Sequence, residues 1–213
     1  MKKIVIIGSG FSSLSAACYL AKKGHQVQVL EKNDTLGGRA RQFTKDGFTF
    51  DMGPSWYWMP DVFESFFGDF DKQVSDYYTL DRLSPGYQVV FGKDDVFPVE
   101  DSIAKIAARF EKIEAGSGAK LTRFLEKARN NYDIAVKDLV YRPGVSPLEL
   151  VTPQTVKKVG LFFTNIRSQV EKQFKSQKLR SLLQFPVLFL GAKPESTPAF
   201  YNFMNYADFG LGT

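Results

Sequence analysis

Apolar and polar positions in the first forty residues follow the pattern expected of a strand, a helix and a second strand. The mostly apolar run Lys3–Ile7 predicts one strand, and Val27–Leu30 predicts another. Between them lies a glycine-containing turn, followed by apolar residues at helical spacing. These residues are Leu14, Ala17, Cys18 and Ala21. The pattern predicts a βαβ start whose helix buries this stripe against the strands.

The turn after the first strand has the spacing of a dinucleotide-binding motif. Gly8 permits a sharp turn, and Gly10 lets backbone N–H groups approach a pyrophosphate without a Cβ in the way. Phe11, Ser12 and Ser13 then begin the helix, whose N-terminus attracts anions. Ser13 stands where the motif has its third glycine, and serine is small enough for close helix–strand packing. For this motif alone, an α/β unit that binds no nucleotide is the alternative.

Glu31 ends the second predicted strand, and Lys32 follows it. A carboxylate at this position accepts hydrogen bonds from the hydroxyls of an adenosine ribose, and it favours an unphosphorylated ribose over that of NADP. We therefore place both residues with the glycine motif in a candidate cofactor site.

Downstream, strand–helix alternation gives way to hairpins followed by helices. Strands at 40–43 and 47–51 flank an Asp-Gly turn, and a helix is predicted from Pro60 through Phe67. A second hairpin spans 87–99 and precedes two helices with apolar stripes. The stripes are Ile103, Ile106, Ala107 and Phe110, then Leu121, Phe124, Leu125, Ala128, Tyr132, Ala135, Val136 and Leu139. The change in element order predicts two domains, 1–80 and 81–213.

Composition excludes several kinds of site. Cys18 is the only cysteine and His25 the only histidine, which excludes a disulfide framework and the common zinc and iron sites. We therefore predict no metal. No run approaches the roughly 18 consecutive apolar residues of a transmembrane helix. The apolar run after Met1 is too short for a signal peptide, so we expect a cytoplasmic protein.

Positive charge is concentrated in residues 155–185, which hold seven Lys or Arg residues and one Glu in a chain of net charge +5. Apolar residues are interleaved with these charges. A basic face beside an apolar one is typical of a helix lying on anionic lipid, and the alternative is a helix whose solvated face is basic. We expect no nucleic-acid partner, because no recognised binding motif accompanies the charge.

Four further sequence blocks, taken with the glycine motif, resemble a known family. The blocks are Gly37-Gly38-Arg39-Ala40, Phe50-Asp51-Met52-Gly53-Pro54-Ser55, Met59-Pro60-Asp61-Val62-Phe63-Glu64 and Thr197-Pro198-Ala199-Phe200-Tyr201. In this order they resemble the bacterial-type phytoene desaturases, which are carotenoid enzymes within the FAD-dependent amine-oxidase-like flavoproteins. The chain departs from many relatives at Thr35, where those proteins have an arginine.

The resemblance implies a fold and a cofactor. The fold is an α/β, Rossmann-like FAD-binding domain followed by part of an α+β substrate domain. Gly37, Gly38 and Arg39 are expected to lie along the dinucleotide, and Gly53 and Pro54 to lie close to the isoalloxazine ring. FAD is the expected cofactor.

The resemblance also implies a reaction, in which phytoene or a related carotenoid precursor is desaturated to lycopene or an intermediate. A hydride passes to the flavin and a proton leaves the adjacent carbon. The substrate is then a long isoprenoid hydrocarbon held in a membrane, so peripheral membrane association is expected. Quinone and oxygen are candidate electron acceptors, and the sequence does not choose between them. No catalytic residue is assigned: Asp133, Glu149, Glu195 and Asp208 are candidates for the base, and the alternative for each is a structural or surface residue.

Other functions remain open at this stage. They are a sibling carotenoid enzyme (a hydroxycarotenoid desaturase, a C30 desaturase or an isomerase), a nicotinamide dehydrogenase, and a dinucleotide-binding module without redox chemistry. Members of the resembled family are considerably longer than this chain. We therefore expect the N-terminal portion of an enzyme, which by itself binds FAD weakly and lacks activity.

Overall fold

The computed structural model describes residues 1–53 and 56–212. The chain divides into two compact units, Met1–Tyr57 and Trp58–Thr213. The division into a cofactor domain (1–80) and a substrate domain (81–213) remains a prediction.

The first unit begins with the predicted βαβ arrangement. Strand β1 (Lys3–Ile7) leads into helix α1 (Phe11–Lys22), and strand β2 (Gln26–Leu30) follows. The two strands pair in parallel, with Lys3 opposite Gln26 and Ile7 opposite Leu30. A right-handed crossover through a helix is the usual connection between such strands. The βαβ prediction is confirmed.

A hairpin completes the first unit. Strands β3 (Gln42–Lys45) and β4 (Phe48–Asp51) pair antiparallel. Asp46 and Gly47 connect them, and both have positive φ angles, 52° and 82°. A two-residue turn with positive φ at both positions matches the twist of the strands, which explains the Asp-Gly pair.

The predicted burial of the α1 stripe is wrong at two positions. Cys18 and Ala21 are exposed, whereas Leu14 and Ala17 are half-buried. Among the described elements, the helix packs mainly against β2 and β1, and much of its outer flank is exposed. Ser9 is the only fully buried residue among those described in this unit.

The second unit contains a short helix, a hairpin and a set of helices. The hairpin strands β5 and β6 pair antiparallel, as predicted, with Tyr87 opposite Val99. The helices and strands are α2 (Pro60–Gly68), β5 (Tyr87–Gly92), β6 (Asp95–Val99), α3 (Ile103–Ile113), α4 (Ser117–Lys137), α5 (Pro153–Val156), α6 (Ile166–Glu171), α7 (Gln177–Gln184) and α8 (Phe203–Tyr206). Short 3-10 turns connect the later helices, and a π-helical turn, Ala207–Leu211, follows α8.

The core of the second unit lies between hairpin β5–β6 and helices α3, α4, α6 and α7. The predicted stripes supply much of it, because Ile106, Phe110, Leu121, Phe124 and Leu125 are each at most 1% exposed. Phe110 and Phe124 each meet Phe174 edge-on, at centroid distances of 6.0 and 6.4 Å. Aromatic pairs favour this geometry.

Residues 155–185 do not form one amphipathic helix with a lipid-facing side. They form several short helices and turns. Their apolar residues from Ile166 to Leu183 point into the core; those at most 2% exposed are Ile166, Val170, Phe174, Leu179, Leu182 and Leu183. The basic side chains therefore belong to the solvated face of core helices in this part of the segment. No helix among residues 1–53 and 56–212 is both long and apolar enough to cross a membrane.

Candidate functional site

The predicted phosphate-binding turn connects β1 to α1. Gly8 has a φ of +92°, a conformation that favours glycine. Its N–H donates to the Leu30 carbonyl at 2.7 Å, which ties the turn to the end of β2. Gly10, extended and without a side chain, precedes α1. Phe11, Ser12 and Ser13 form the first turn of that helix, where backbone N–H groups and the helix dipole favour an anion.

The second glycine motif lies directly against this turn. The Gly37 N–H donates to the Ser9 carbonyl at 3.0 Å. A Cβ added at Gly38 would lie 3.1 Å from the Gly10 Cα, so the two backbones meet without room for a side chain. Arg39 follows in a 3-10 turn, and its side chain is exposed.

Gly53 is adjacent to the same motif. A Cβ at Gly53 would lie 2.3 Å from the Arg39 carbonyl oxygen, so only glycine fits there. The neighbouring Met52 N–H donates to the Arg41 carbonyl at 3.0 Å. Pro54, also predicted in the site, lies outside the described residues. The fold thus brings Gly53 to the double-glycine motif from the far end of β4.

The Glu31 carboxylate is held by two neighbours at the end of β2. Its Oε2 accepts from the Ser9 hydroxyl at 2.6 Å and from the Ser9 N–H at 2.9 Å. Its Oε1 accepts from the Asn33 Nδ2 at 2.7 Å and from the Asn33 N–H at 2.9 Å. These hydrogen bonds lower the pKa of Glu31 to about 2, and the Ser9 hydroxyl has the largest effect. Glu31 therefore carries a full negative charge at neutral pH.

Ser9 and Asn33 were absent from the sequence-based site. Two features of the sequence could have indicated them: a short polar residue between the two glycines, and an Asn two residues after the carboxylate. At such a spacing, short polar side chains often form hydrogen bonds with nearby backbone groups. Both residues hold Glu31, whereas the predicted Lys32 is exposed beside it.

An open depression of about 690 Å³ borders this site in the first unit. Lys32, Asn33, Arg41 and Thr44 are among the residues that line it. Its volume lies within the range of small-molecule sites. Cationic and hydrogen-bonding groups line it, which suits a phosphorylated ligand.

The four acids considered as a base have different environments in the second unit. Asp133 pairs with Lys137 at 2.7 Å, and Glu195 is exposed. Glu149 accepts from the N–H groups of residues 144–146, and the Gly144 bond has the largest effect in lowering its pKa. Asp208 is 2% exposed, and burial raises its pKa to about 7. A pKa near neutrality, as at Asp208, suits a general base.

Comparison with known proteins places the first unit in a recognised class. The family model described as "NAD(P)-binding Rossmann-like domain" matches residues 6–72. Among solved structures, a putrescine oxidase variant superimposes with a TM-score of 0.58 at 20% sequence identity, covering 99% of this chain and 42% of the other. At that identity the likeness concerns the fold.

Sequence relatives narrow the class. A carotenoid 3,4-desaturase of Haloarcula japonica is 42% identical over 98% of this chain and 43% of its own length. A 4,4'-diapophytoene desaturase of Staphylococcus haemolyticus is 35% identical over 93% of this chain and 40% of its own length. A zeta-carotene-forming phytoene desaturase of Myxococcus xanthus is 32% identical over 99% of this chain and 41% of its own length.

The fold and the glycine motifs therefore define a Rossmann-like protein of the dinucleotide-binding class. Within that class, the chain is homologous over nearly its whole length to carotenoid and phytoene desaturases. The predicted fold class and family resemblance are confirmed. The chain spans about two-fifths of the length of these curated relatives.

Proposed function

We propose that the protein containing this chain is an FAD-dependent desaturase acting on a carotenoid precursor, such as phytoene on its way to lycopene. The observation that carries the proposal is the meeting of Gly10 and Gly38, with Glu31 held beside them by Ser9. A dinucleotide needs this combination of a close backbone approach and a fixed carboxylate. The names of the sequence relatives support desaturation as the reaction.

The residues present fit the ADP half of FAD. Gly8, Gly10 and the first-turn N–H groups of Phe11, Ser12 and Ser13 would bind the diphosphate, because they carry the positive end of α1. Glu31 would accept from the ribose, with Lys32 beside it. Gly37, Gly38 and Arg39 would run along the dinucleotide, Arg39 supplying positive charge. Gly53 would approach the flavin ring, and Pro54 is proposed with it. When bound, the flavin supplies the hydride-accepting chemistry.

An aromatic row in the second unit suits a long hydrocarbon substrate. Tyr87 lies 5.7 Å from Phe185 between ring centroids, Phe185 lies 5.4 Å from Phe189, and Phe189 lies 4.5 Å from Trp58. Aromatic walls bury large apolar surfaces. We propose that this row contacts the polyene, and that quinone or oxygen reoxidises the flavin.

Membrane contact is proposed for residues 140–163, which overlap the basic segment 155–185 only at its start. Large apolar side chains between residues 140 and 163 are exposed, with Phe163 at 86%, Val145 at 84% and Leu148 at 77%. Lys157 is exposed in the same stretch. Apolar side chains beside a cation suit peripheral binding to anionic lipid. We propose a position on the cytoplasmic face of a membrane, from which a hydrocarbon of this kind is drawn.

The first test measures nucleotide binding by this chain, with calorimetry or NMR as the method. ADP and FAD should bind, and NADP should bind more weakly because its 2′-phosphate meets the Glu31 carboxylate. Glu31→Ala should weaken ADP binding, whereas Asp46→Ala in the exposed β3–β4 turn should leave ADP binding unchanged. A preference for NADP over ADP would contradict the cofactor assignment.

The reaction is tested with the whole protein in cells supplied with phytoene, by pigment analysis. Conjugated products of phytoene are expected. A sibling activity is the second candidate, since the relatives above include a carotenoid 3,4-desaturase and a 4,4'-diapophytoene desaturase. Products formed only from the C30 precursor, or only from an already conjugated carotenoid, would favour it.

A further inference from the structure

The hydrogen bonds to Glu31 are arranged symmetrically. Each carboxylate oxygen accepts one backbone N–H, at 2.9 Å, and one side-chain donor, at 2.6 Å from Ser9 or 2.7 Å from Asn33. An ionised carboxylate offers about four acceptor positions. All four are therefore engaged before any ribose arrives.

A ribose hydroxyl can reach this carboxylate only by exchange with one of the four donors. The Ser9 N–H is held in place by the chain, since the Ser9 carbonyl accepts from Gly37 and the Gly8 N–H bonds the end of β2. The Asn33 N–H belongs to the backbone two residues after Glu31, so it can leave the carboxylate only if the backbone moves. The exchanging group must then be a side chain, which leaves by rotating about a single bond.

The Ser9 and Asn33 side chains differ in burial. Ser9 is 1% exposed and does not line the depression, so its hydroxyl has no solvent to turn towards. Asn33 is half-buried and lines the depression, so its carboxamide can turn into water there and remain hydrogen-bonded. Asn33 therefore both bonds the carboxylate and lines the open depression.

We infer that the Asn33 carboxamide occupies the position of a ribose hydroxyl on Glu31 and is displaced when the nucleotide binds, whereas the Ser9 hydroxyl is a permanent support for the carboxylate. The inference rests on the proposed nucleotide site and adds two residues to it with opposite roles. Asn33 competes with the ligand for Oε1. Ser9 keeps Oε2 in place throughout.

Because the two roles are opposite, truncating each side chain to alanine should change ADP affinity in opposite directions. Asn33→Ala removes the competitor, so ADP should bind about three- to tenfold tighter, the size expected for one charge-assisted hydrogen bond partly replaced by water. Ser9→Ala removes the support, so ADP should bind about tenfold more weakly. The two variants are each other's control, because each deletes one side-chain donor to the same carboxylate.

The ligand provides a second control. With 2′,3′-dideoxy-ADP, which has no ribose hydroxyls, Asn33→Ala should give no gain in affinity over the unmodified chain. A gain that persists with the dideoxy ligand would show that Asn33 acts elsewhere, and would overturn the inference.

The unmodified chain allows a test without any substitution. The Nδ2 protons of Asn33, followed by NMR, should exchange faster with solvent and change shift when ADP is added. Unchanged Asn33 side-chain signals at saturating ADP, or weaker ADP binding by Asn33→Ala, would overturn the inference and leave the nucleotide site standing. If neither the unmodified chain nor the two variants bind ADP at millimolar concentration, the proposed nucleotide site itself fails, and the inference with it.

Discussion

The Tyr87 hydroxyl donates a 2.5 Å hydrogen bond to Oδ2 of Asp208, which joins the first strand of hairpin β5–β6 to the π-helical turn after α8. Asp208 is 2% exposed, and its Oδ1 has no hydrogen-bond partner among the described residues. A buried carboxylate with one donor is poorly compensated as an anion, so burial raises its pKa to about 7. The protonated acid is the stable form in the folded chain at mildly acidic pH.

Stability should therefore depend on pH through Asp208. Its pKa is near 7 when folded and near its ordinary value of 3.8 when unfolded. The folded state holds the proton more tightly than the unfolded state. The contribution of Asp208 to the free energy of unfolding is therefore greatest below pH 4, falls as the pH rises towards 7, and is constant above pH 7. The full effect is about 4 kcal/mol, at 1.36 kcal/mol per pH unit.

Asp208→Asn isolates this effect, since the amide keeps an acceptor for Tyr87 and does not ionise. Urea unfolding from pH 4 to pH 8 should show equal stability of the two chains at pH 4 and a more stable variant at pH 8. The difference between the chains is the quantity to measure, because Glu31 and Glu149 have lowered pKa values and change stability in the opposite direction at low pH. A difference that does not vary with pH would contradict the raised pKa.

Tyr87→Phe should raise the pKa of Asp208 further, because the Tyr87 hydrogen bond is the influence that lowers it. The variant also leaves Asp208 without its donor, at a cost of about 1–3 kcal/mol. NMR titration of the Asp208 carboxyl carbon measures the first effect, and urea unfolding at pH 5 measures the second. Tyr201→Phe, on a partly exposed tyrosine of the same unit, serves as the control and should change neither quantity.

Gly38→Ala should weaken nucleotide binding. The new Cβ would lie 3.1 Å from the Gly10 Cα, at a φ of +60° that disfavours side chains. Moving the two backbones apart displaces the N–H groups of the phosphate turn, and a strained residue costs about 1–2 kcal/mol, or roughly tenfold in ADP affinity. Gly160→Ala is the matched control, because nothing lies within 4 Å of a Cβ at Gly160.

Membrane contact should depend on the exposed apolar side chains of residues 140–163. Replacing Val145, Leu148 and Phe163 by Asp should abolish sedimentation of the chain with vesicles of anionic lipid, since each change removes apolar contact and adds repulsion. Val90 is 67% exposed in hairpin β5–β6, and Val90→Asp should leave binding unchanged. Equal vesicle binding by the triple variant would place the contact elsewhere.

Truncating a core Phe should lower the free energy of unfolding much more than truncating an exposed Phe. Phe110→Ala should cost about 3–5 kcal/mol in unfolding free energy, because Phe110 is fully buried against Phe97 and Phe174. Phe163→Ala removes a side chain that is 86% exposed and should change stability by less than about 0.5 kcal/mol. Urea unfolding of the two variants checks both values.

Much of the fold could be predicted from neighbouring residues alone. The strand β1 has the predicted bounds, and the Asp-Gly pair forms the β3–β4 turn with positive φ at both residues. The stripe of α4 is largely buried as predicted. Turn conformation and hydrophobic spacing act over a few residues, so a sequence pattern contains the information needed.

The site was predictable in its glycines and its carboxylate, because those residue types are dictated by backbone approach and by ribose chemistry. The partners of Glu31 were not predicted, since Ser9 and Asn33 are short polar residues that are common in turns. The roles of the predicted cofactor residues remain proposals. Their meeting in one place is a property of the fold, which brings Gly10, Gly38 and Gly53 together from three separate segments.

The sequence by itself therefore determined the βαβ start, the hairpins, the core stripes and the relationship to carotenoid desaturases. Only the tertiary structure decided which surfaces are covered. It buried the apolar side chains of residues 166–183 in the core, left Cys18 exposed, and enclosed Asp208 beside Tyr87. Burial depends on contacts between elements that are far apart in the sequence, and the pKa of Asp208 depends on burial. Local pattern cannot specify either.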